Sequence, residues 1–188
     1  MIIGNSLLFA IESKITQAYE QLSYRALGFF LIYIKGHCYG VREDDATMLA
    51  CSFDEISLRI AKRNKHTAVF AELEAKLIAN AFRSALYADR QEQNYCGIPF
   101  SEFRRHFDRD EKDILWAPDG DAAFDDGSYV LQFDVRDRVR LIAFKSDQEY
   151  SYDPDTLSEV WMPSETFYQI LQKWRDLFEA EWNNALGK

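Results

Sequence analysis

The residues of this chain able to do chemistry are 31 carboxylates, three histidines and three cysteines. His37, His66 and His106 lie far apart, and none has a Cys or a second His at the spacing of a zinc site. A nucleophilic cysteine needs a base within hydrogen-bond reach. Cys38 with His106 is one such pairing, but three of each residue supply many by chance, and only geometry assigns the roles. Gly120 and Gly127 belong to neither a Walker loop nor a dinucleotide fingerprint. The run PDGDAAFDDG gathers Asp119, Asp121, Asp125 and Asp126. A calcium loop needs ligands at alternate positions with fixed Gly and Glu places, and this spacing fails that test. It reads as a solvated acidic turn, where Asp and Gly serve the local backbone. Paired carboxylates for glycoside hydrolysis carry no specificity among so many acids. No metal and no cofactor are expected.

A binding chemistry is easier to find. Ser146 to Gln172 holds six acids and neither Lys nor Arg, with Tyr150, Tyr152 and Trp161 interleaved. In a protein interface, rings supply desolvated area and carboxylates select Arg and Lys on the partner. The candidate partner-binding residues are therefore Tyr150, Tyr152, Asp153, Asp155, Glu159 and Trp161, joined by Asp119 and Asp121 of the acidic turn. The competing reading turns the rings to the core and the acids to water. Charge fits an interface and equally a surface that is acidic only for solubility: up to Phe107 there are 13 basic against 12 acidic residues, and after it 9 against 19. The whole net charge of −9 thus arises in the C-terminal part. Such a surface repels nucleic acid and anionic lipid and draws basic proteins.

These residues need elements to hold them. With 188 residues, 47% of them apolar, the chain has material for one packed domain spanning 1–188. Phe9 to Ile15 reads as a strand, and Gly28 to Ile34 and His37 to Val41 as a hairpin turning at Lys35-Gly36. Arg42 to Thr47 is a charged loop. Ser52 and Glu55 have the spacing of a capping box, opening a helix on Phe53, Ile56 and Ile60. A second helix is expected over Ala68 to Ala88, with Phe70, Leu73, Leu77, Ile78, Ala81, Phe82 and Ala85 as its apolar stripe. Ser101 to Phe107 is a short helical turn, and Asp113 to Ala117 a further strand. Ser128 to Val135 and Val139 to Phe144 alternate across the turn Arg136-Asp137. Another strand runs over Thr156 to Met162, Pro163 ends it, and Ser164 caps a long helix reaching Leu186. The fold class is α+β: antiparallel sheets with two central helices and a long C-terminal helix.

The three cysteines have no paired spacing, which fits a reducing compartment, and each is expected buried. The longest apolar run, Leu27 to Ile34, is far shorter than the ~18 residues a membrane helix needs. The first residues lack a basic leader and a small-residue cleavage site, so the expectation is a cytoplasmic protein with no membrane contact.

Three stretches, MIIGNSLLFAIESKI, GFFLIYIKGHCYGV and TMLACSFDEISLRIAKR, together resemble immunity protein family forty-two of bacterial polymorphic toxin and contact-dependent inhibition systems. AFDDGSYVLQF, VRLIAFK and EVWMP before an aromatic-rich helix extend the likeness, which is weakest around Asp89 to Glu111. Gly4, Phe9, Ala10, Ile11, Gly28, Gly36 and Gly40 match framework positions and name no contact residue. The resemblance implies no enzyme, but a one-to-one complex with the C-terminal domain of a toxin encoded beside it, often a nuclease. Nuclease sites are basic because they bind phosphates, and an acidic surface complements them. Two other readings stay open: a small hydrolase whose site assembles only in three dimensions, and a scaffold that self-pairs through an apolar patch.

Overall fold

The computed structural model of the chain describes residues 1–87, 95–116, 122–147 and 152–187. The first half builds an antiparallel sheet from β1 (Ile2–Asn5), β2 (Phe9–Ala18), β3 (Ala26–Ile34) and β4 (His37–Tyr39). A two-residue strand, β5 (Thr47–Met48), pairs with the start of β3. Helices α1 (Leu49–Ala61), α2 (Ala75–Tyr87) and α3 (Phe100–Arg105) follow. The second sheet is the meander β6 (Ser128–Val135), β7 (Arg138–Ser146) and β8 (Tyr152–Pro163), and α4 (Ser164–Ala185) closes the fold. The α+β assignment holds, with the long C-terminal helix in place.

Strand periodicity explains how these parts stack. In the first sheet Phe9 and Ile11 of β2 share a face with Phe30, Ile32 and Ile34 of β3. That face packs on α1, α4 and the Val139, Leu141, Ala143 side of the second sheet. The opposite side of the second sheet, with Leu131, Phe133, Ile142 and Phe144, packs on α2 and α3. The β6–β8 meander is therefore the middle layer. Every residue of β7 from Val139 to Phe144 is buried.

Two glycines are required by geometry. The β3–β4 turn carries Lys35 and Gly36 at φ 50° and 84°, the left-handed pair a two-residue hairpin needs. At Gly28 an added Cβ would lie 1.9 Å from the Lys14 carbonyl oxygen and 3.1 Å from Leu49 Cδ1. Only a bare backbone lets β2, β3 and the start of α1 meet there.

Several expectations give way to tertiary structure. The Ser52–Glu55 capping box does not form: α1 starts at Leu49, with Met48 as its cap residue. Pairing of β5 with Leu27 and Gly28 delivers the chain straight into the helix, leaving Ser52 and Glu55 inside it and buried. Ser164 likewise is the first residue of α4, whose cap position is Pro163. Residues 68–74 form turns, and α2 begins at Ala75. Phe70, Ile78 and Phe82 are buried as expected, but Leu73 and Leu77 are exposed at 40% and 52%. The strand expected from Asp113 reduces to one bridge, Leu115 to Leu131. The cysteines are not buried: Cys51 is exposed, and Cys38 and Cys96 are intermediate. Among the described residues, no helix is long and apolar enough to cross a membrane.

Helix α4 ties the layers together through its indoles. Trp174 is fully buried, donates from Nε1 to Ser13 Oγ at 3.0 Å, and packs edge-on against Phe30 at 5.2 Å. Trp182 donates to the Tyr19 carbonyl at 2.9 Å. Truncating Trp174 removes its packing and leaves the Ser13 hydroxyl without that donor. Trp174→Ala is expected to lower the unfolding free energy by about 3–5 kcal/mol, read from urea denaturation.

Candidate functional site

The acid-aromatic stretch folds as β8, and the pleat separates its residues. Tyr152 is only 3% exposed and packs against Phe144 at 5.6 Å in the core under α2. Glu159 and Trp161 point into a shared cluster. Glu159 Oε1 accepts from Arg140 Nε at 3.0 Å and from Trp161 Nε1 at 2.5 Å. Arg140 is buried; its Nη1 donates to the Ala71 and Leu73 carbonyls at 2.6 Å each, and its guanidinium lies 5.1 Å from the Trp161 ring. The Glu159 carboxylate thus neutralises a cation of its own fold. Trp161 retains one partly open edge in a shallow groove of about 340 Å³, beside Glu72, Val135, Arg136, Asp137 and Arg138. Asp153 is half-buried and accepts from the Asp155 backbone N–H at 3.0 Å, while Asp155 is exposed. Tyr150, Asp119 and Asp121 lie outside the described residues.

A second polar cluster escaped sequence reading. It lies where α1 and α4 meet the middle layer. Arg59 is fully buried; its Nε sits 2.7 Å from Glu55, and its other nitrogens reach Gln132 Oε1 at 3.1 Å and the Leu115 carbonyl at 2.6 Å. Arg109 approaches the second Glu55 oxygen at 3.3 Å. Asp134 accepts from Tyr168 Oη at 2.9 Å and from the His66 backbone N–H at 3.2 Å. Burial pushes Glu55 and Asp134 up from the usual carboxylate range, against the pull of Arg59 on the first and of Tyr168 on the second. Desolvation, then the nearby Arg59 charge, pulls His66 down to about 4. Its Nδ1 lies 2.9 Å from the Asp113 carbonyl, the geometry of a neutral ring that donates from Nδ1.

This cluster is a buried brace. Gln132 and Asp134 stand two apart in β6, so the sequence places them on one face; it does not say that this face is covered. Cys38 and His106 are not brought together. His106 sits in the α2 core, 5.0 Å from the Phe70 ring with Nδ1 on the Glu102 carbonyl, and Cys38 lies opposite Tyr33 on β4. Among the described residues no group of three or more His, Cys, Asp or Glu side chains is placed to hold a metal ion. The arrangement offers surfaces and internal braces.

The sequence matches the family model "Immunity protein 42" over residues 1–177. The chain belongs to the immunity protein 42 family. Membership gives this immunity protein a toxin-neutralising role. Its fold is similar to that of the crystal structure of CdiI from Burkholderia dolosa AUO158, with TM-score 0.52 and 16% sequence identity. The match covers 92% of this chain and 97% of that one, and at such identity it speaks for the fold alone. Comparison with curated proteins gave no match.

The buried histidine has a measurable consequence. Unfolded, its ring titrates near 6.5; folded, near 4. Between those values the unfolded chain takes up a proton that the native chain refuses, so stability falls as pH falls. Glu55 and Asp134 act in the opposite sense, since the native state holds their protons to higher pH. Their effect cancels on comparing wild type with His66→Gln. Relative to that variant, wild type is expected to lose up to ~3 kcal/mol of unfolding free energy between pH 6.5 and 4. Urea titrations across this range check it, and parallel profiles refute it.

Proposed function

We propose that this immunity protein, acting as one domain and without chemistry of its own, binds a cognate toxin domain one-to-one. It covers the toxin's active site or the surface that receives substrate. The observation that carries this reading is the family match across residues 1–177. The excess of 19 acidic over 9 basic residues after Phe107 points to a basic target, and toxins that cleave nucleic acid are basic where they hold phosphates. The same charge disfavours direct nucleic-acid binding. The site of action is the cytoplasm of the producing cell, where an incoming toxin meets its substrate.

Capture of this kind is fast when opposite fields steer the encounter. Asp153 and Asp155 are the carboxylates of the candidate set that stay near solvent on β8, so they contribute to steering rather than to a desolvated anchor.

The deciding experiment is calorimetry of the purified protein with the C-terminal domain of the toxin encoded beside it, at two salt concentrations. A dissociation constant of about 1 nM or tighter, weakening with salt, is expected of an acidic surface meeting a basic one. Absence of binding would overturn the reading. In stopped-flow mixing, Asp153→Lys with Asp155→Lys is expected to slow association several-fold at low salt while leaving dissociation unchanged.

A further inference from the structure

The turn between β2 and β3 presents Leu22 and Tyr24 to solvent at 63% and 46% exposure. An exposed leucine alone means little; here the backbone beneath is clamped from three sides. Tyr24 and Arg25 backbone N–H groups both donate to the Gln21 carbonyl, at 3.1 and 2.8 Å, and the Tyr19 N–H donates to the Arg25 carbonyl at 2.7 Å. Arg25 turns inward, its guanidinium 4.0 Å from the Phe53 ring on α1 and 5.3 Å from the Trp182 ring on α4. The Trp182 indole holds the Tyr19 carbonyl at 2.9 Å, and the Tyr19 ring meets Tyr24 edge-on at 6.3 Å. Both anchors therefore stand on a turn bolted to two helices, with little ordering left to do on binding.

Carboxylates lie on this end of the first sheet. Glu20 is in the turn, and Asp54 on α1 is two-thirds exposed, 3.9 Å from Arg25. The segment carrying exposed Glu43, Asp44 and Asp45 is tied to the same end of β2, because Thr16 Oγ1 donates to the Asp44 carbonyl at 2.5 Å. The cations here are engaged: Lys14 with Asp44 at 2.8 Å, and Arg25 by stacking. Another exposed leucine turn, Leu7 and Leu8, has Lys35 beside it, with the Lys35 N–H donating to the Leu8 carbonyl.

On the toxin-neutralising reading above, we infer that the β2–β3 turn is the apolar anchor of the toxin contact. Leu22 and Tyr24 seat in the partner's surface, and Glu20, Asp54, Glu43 and Asp45 meet its Lys and Arg. A rigid aromatic and aliphatic pair inside a charged rim is the anatomy of an interface hot spot. The same carboxylates exclude nucleic acid as the occupant. They also disfavour a second copy, because a two-fold contact brings two acidic rims together.

The test uses full-length protein and the toxin domain encoded beside it. Leu22→Ser with Tyr24→Ala should lower the melting temperature by no more than about 5 °C, through loss of the Tyr19–Tyr24 ring contact, and weaken binding by at least ~30-fold, mainly through faster dissociation. Glu20→Lys with Asp54→Lys should slow association about tenfold and flatten its salt dependence. Hydrogen exchange should show amides of residues 19–25 protected in the complex. Unchanged affinity of the Leu22/Tyr24 variant beside a tight wild-type complex overturns this surface and leaves the toxin-neutralising function standing. No complex with wild type overturns both. Self-association of wild type that the Leu22/Tyr24 variant abolishes, with toxin affinity intact, assigns the turn to a second copy and overturns the proposal.

Discussion

A three-stranded sheet whose centre is buried on both faces governs the rest of this molecule. From Val130 to Asp134 in β6 and from Val139 to Phe144 in β7 every residue is buried, so each polar group carried there must find its partner inside the protein. Gln132 and Asp134 find theirs in Arg59, Tyr168 and the His66 backbone. Arg140 on the opposite face finds Glu159 and two carbonyls of the turn before α2. Both clusters stitch the middle layer to its neighbours, one through α1 and α4, the other through residues 71–73. The outer edge of β6 is closed in the same way: Trp116 N–H donates to the Val130 carbonyl and Asp134 N–H to the His66 carbonyl. No long open edge of β6 remains there as a template for another strand.

This constraint explains how much of the molecule was legible in its sequence. The meander, the Lys35-Gly36 hairpin and α4 were readable, because a two-residue positive-φ turn and the 2.0 and 3.6 periodicities are local signals. The helix starts were misread because β5 and Pro163, both placed by strand pairing, fix where α1 and α4 begin. Local spacing at Ser52 and Glu55 lost to a tertiary contact. The site was legible only as a composition. Alternating acids and rings in one stretch imply two faces, but whether the outward face meets water or another layer depends on the order in which layers stack. Tyr152 went inward for that reason, and Glu159 is taken up by Arg140. The β2–β3 turn gave no signal at all, since the contacts that hold it come from α1 and from α4, the latter more than a hundred residues away.

A protein that works by holding a partner needs stiffness more than reactivity. Its titratable groups are used accordingly: His66 is kept neutral, Glu55 shares two arginines, and Arg42 pairs Glu12 on the outer face of the first sheet. Each of these fixes one segment against another. Surface positions are then free to differ between relatives that face different toxins, because the frame does not rely on them.

The indole of Trp174 meets its hydroxyl partner 161 positions earlier in the chain. On a ribosome, strand β2 emerges long before the helix that covers it. At ordinary elongation speeds of about 5–20 residues per second, that interval is on the order of ten to thirty seconds. Throughout it, the Phe9, Ile11 and Phe30 side of the first sheet has no lid. A nascent chain of this protein therefore carries an uncovered apolar face until α4 has been made.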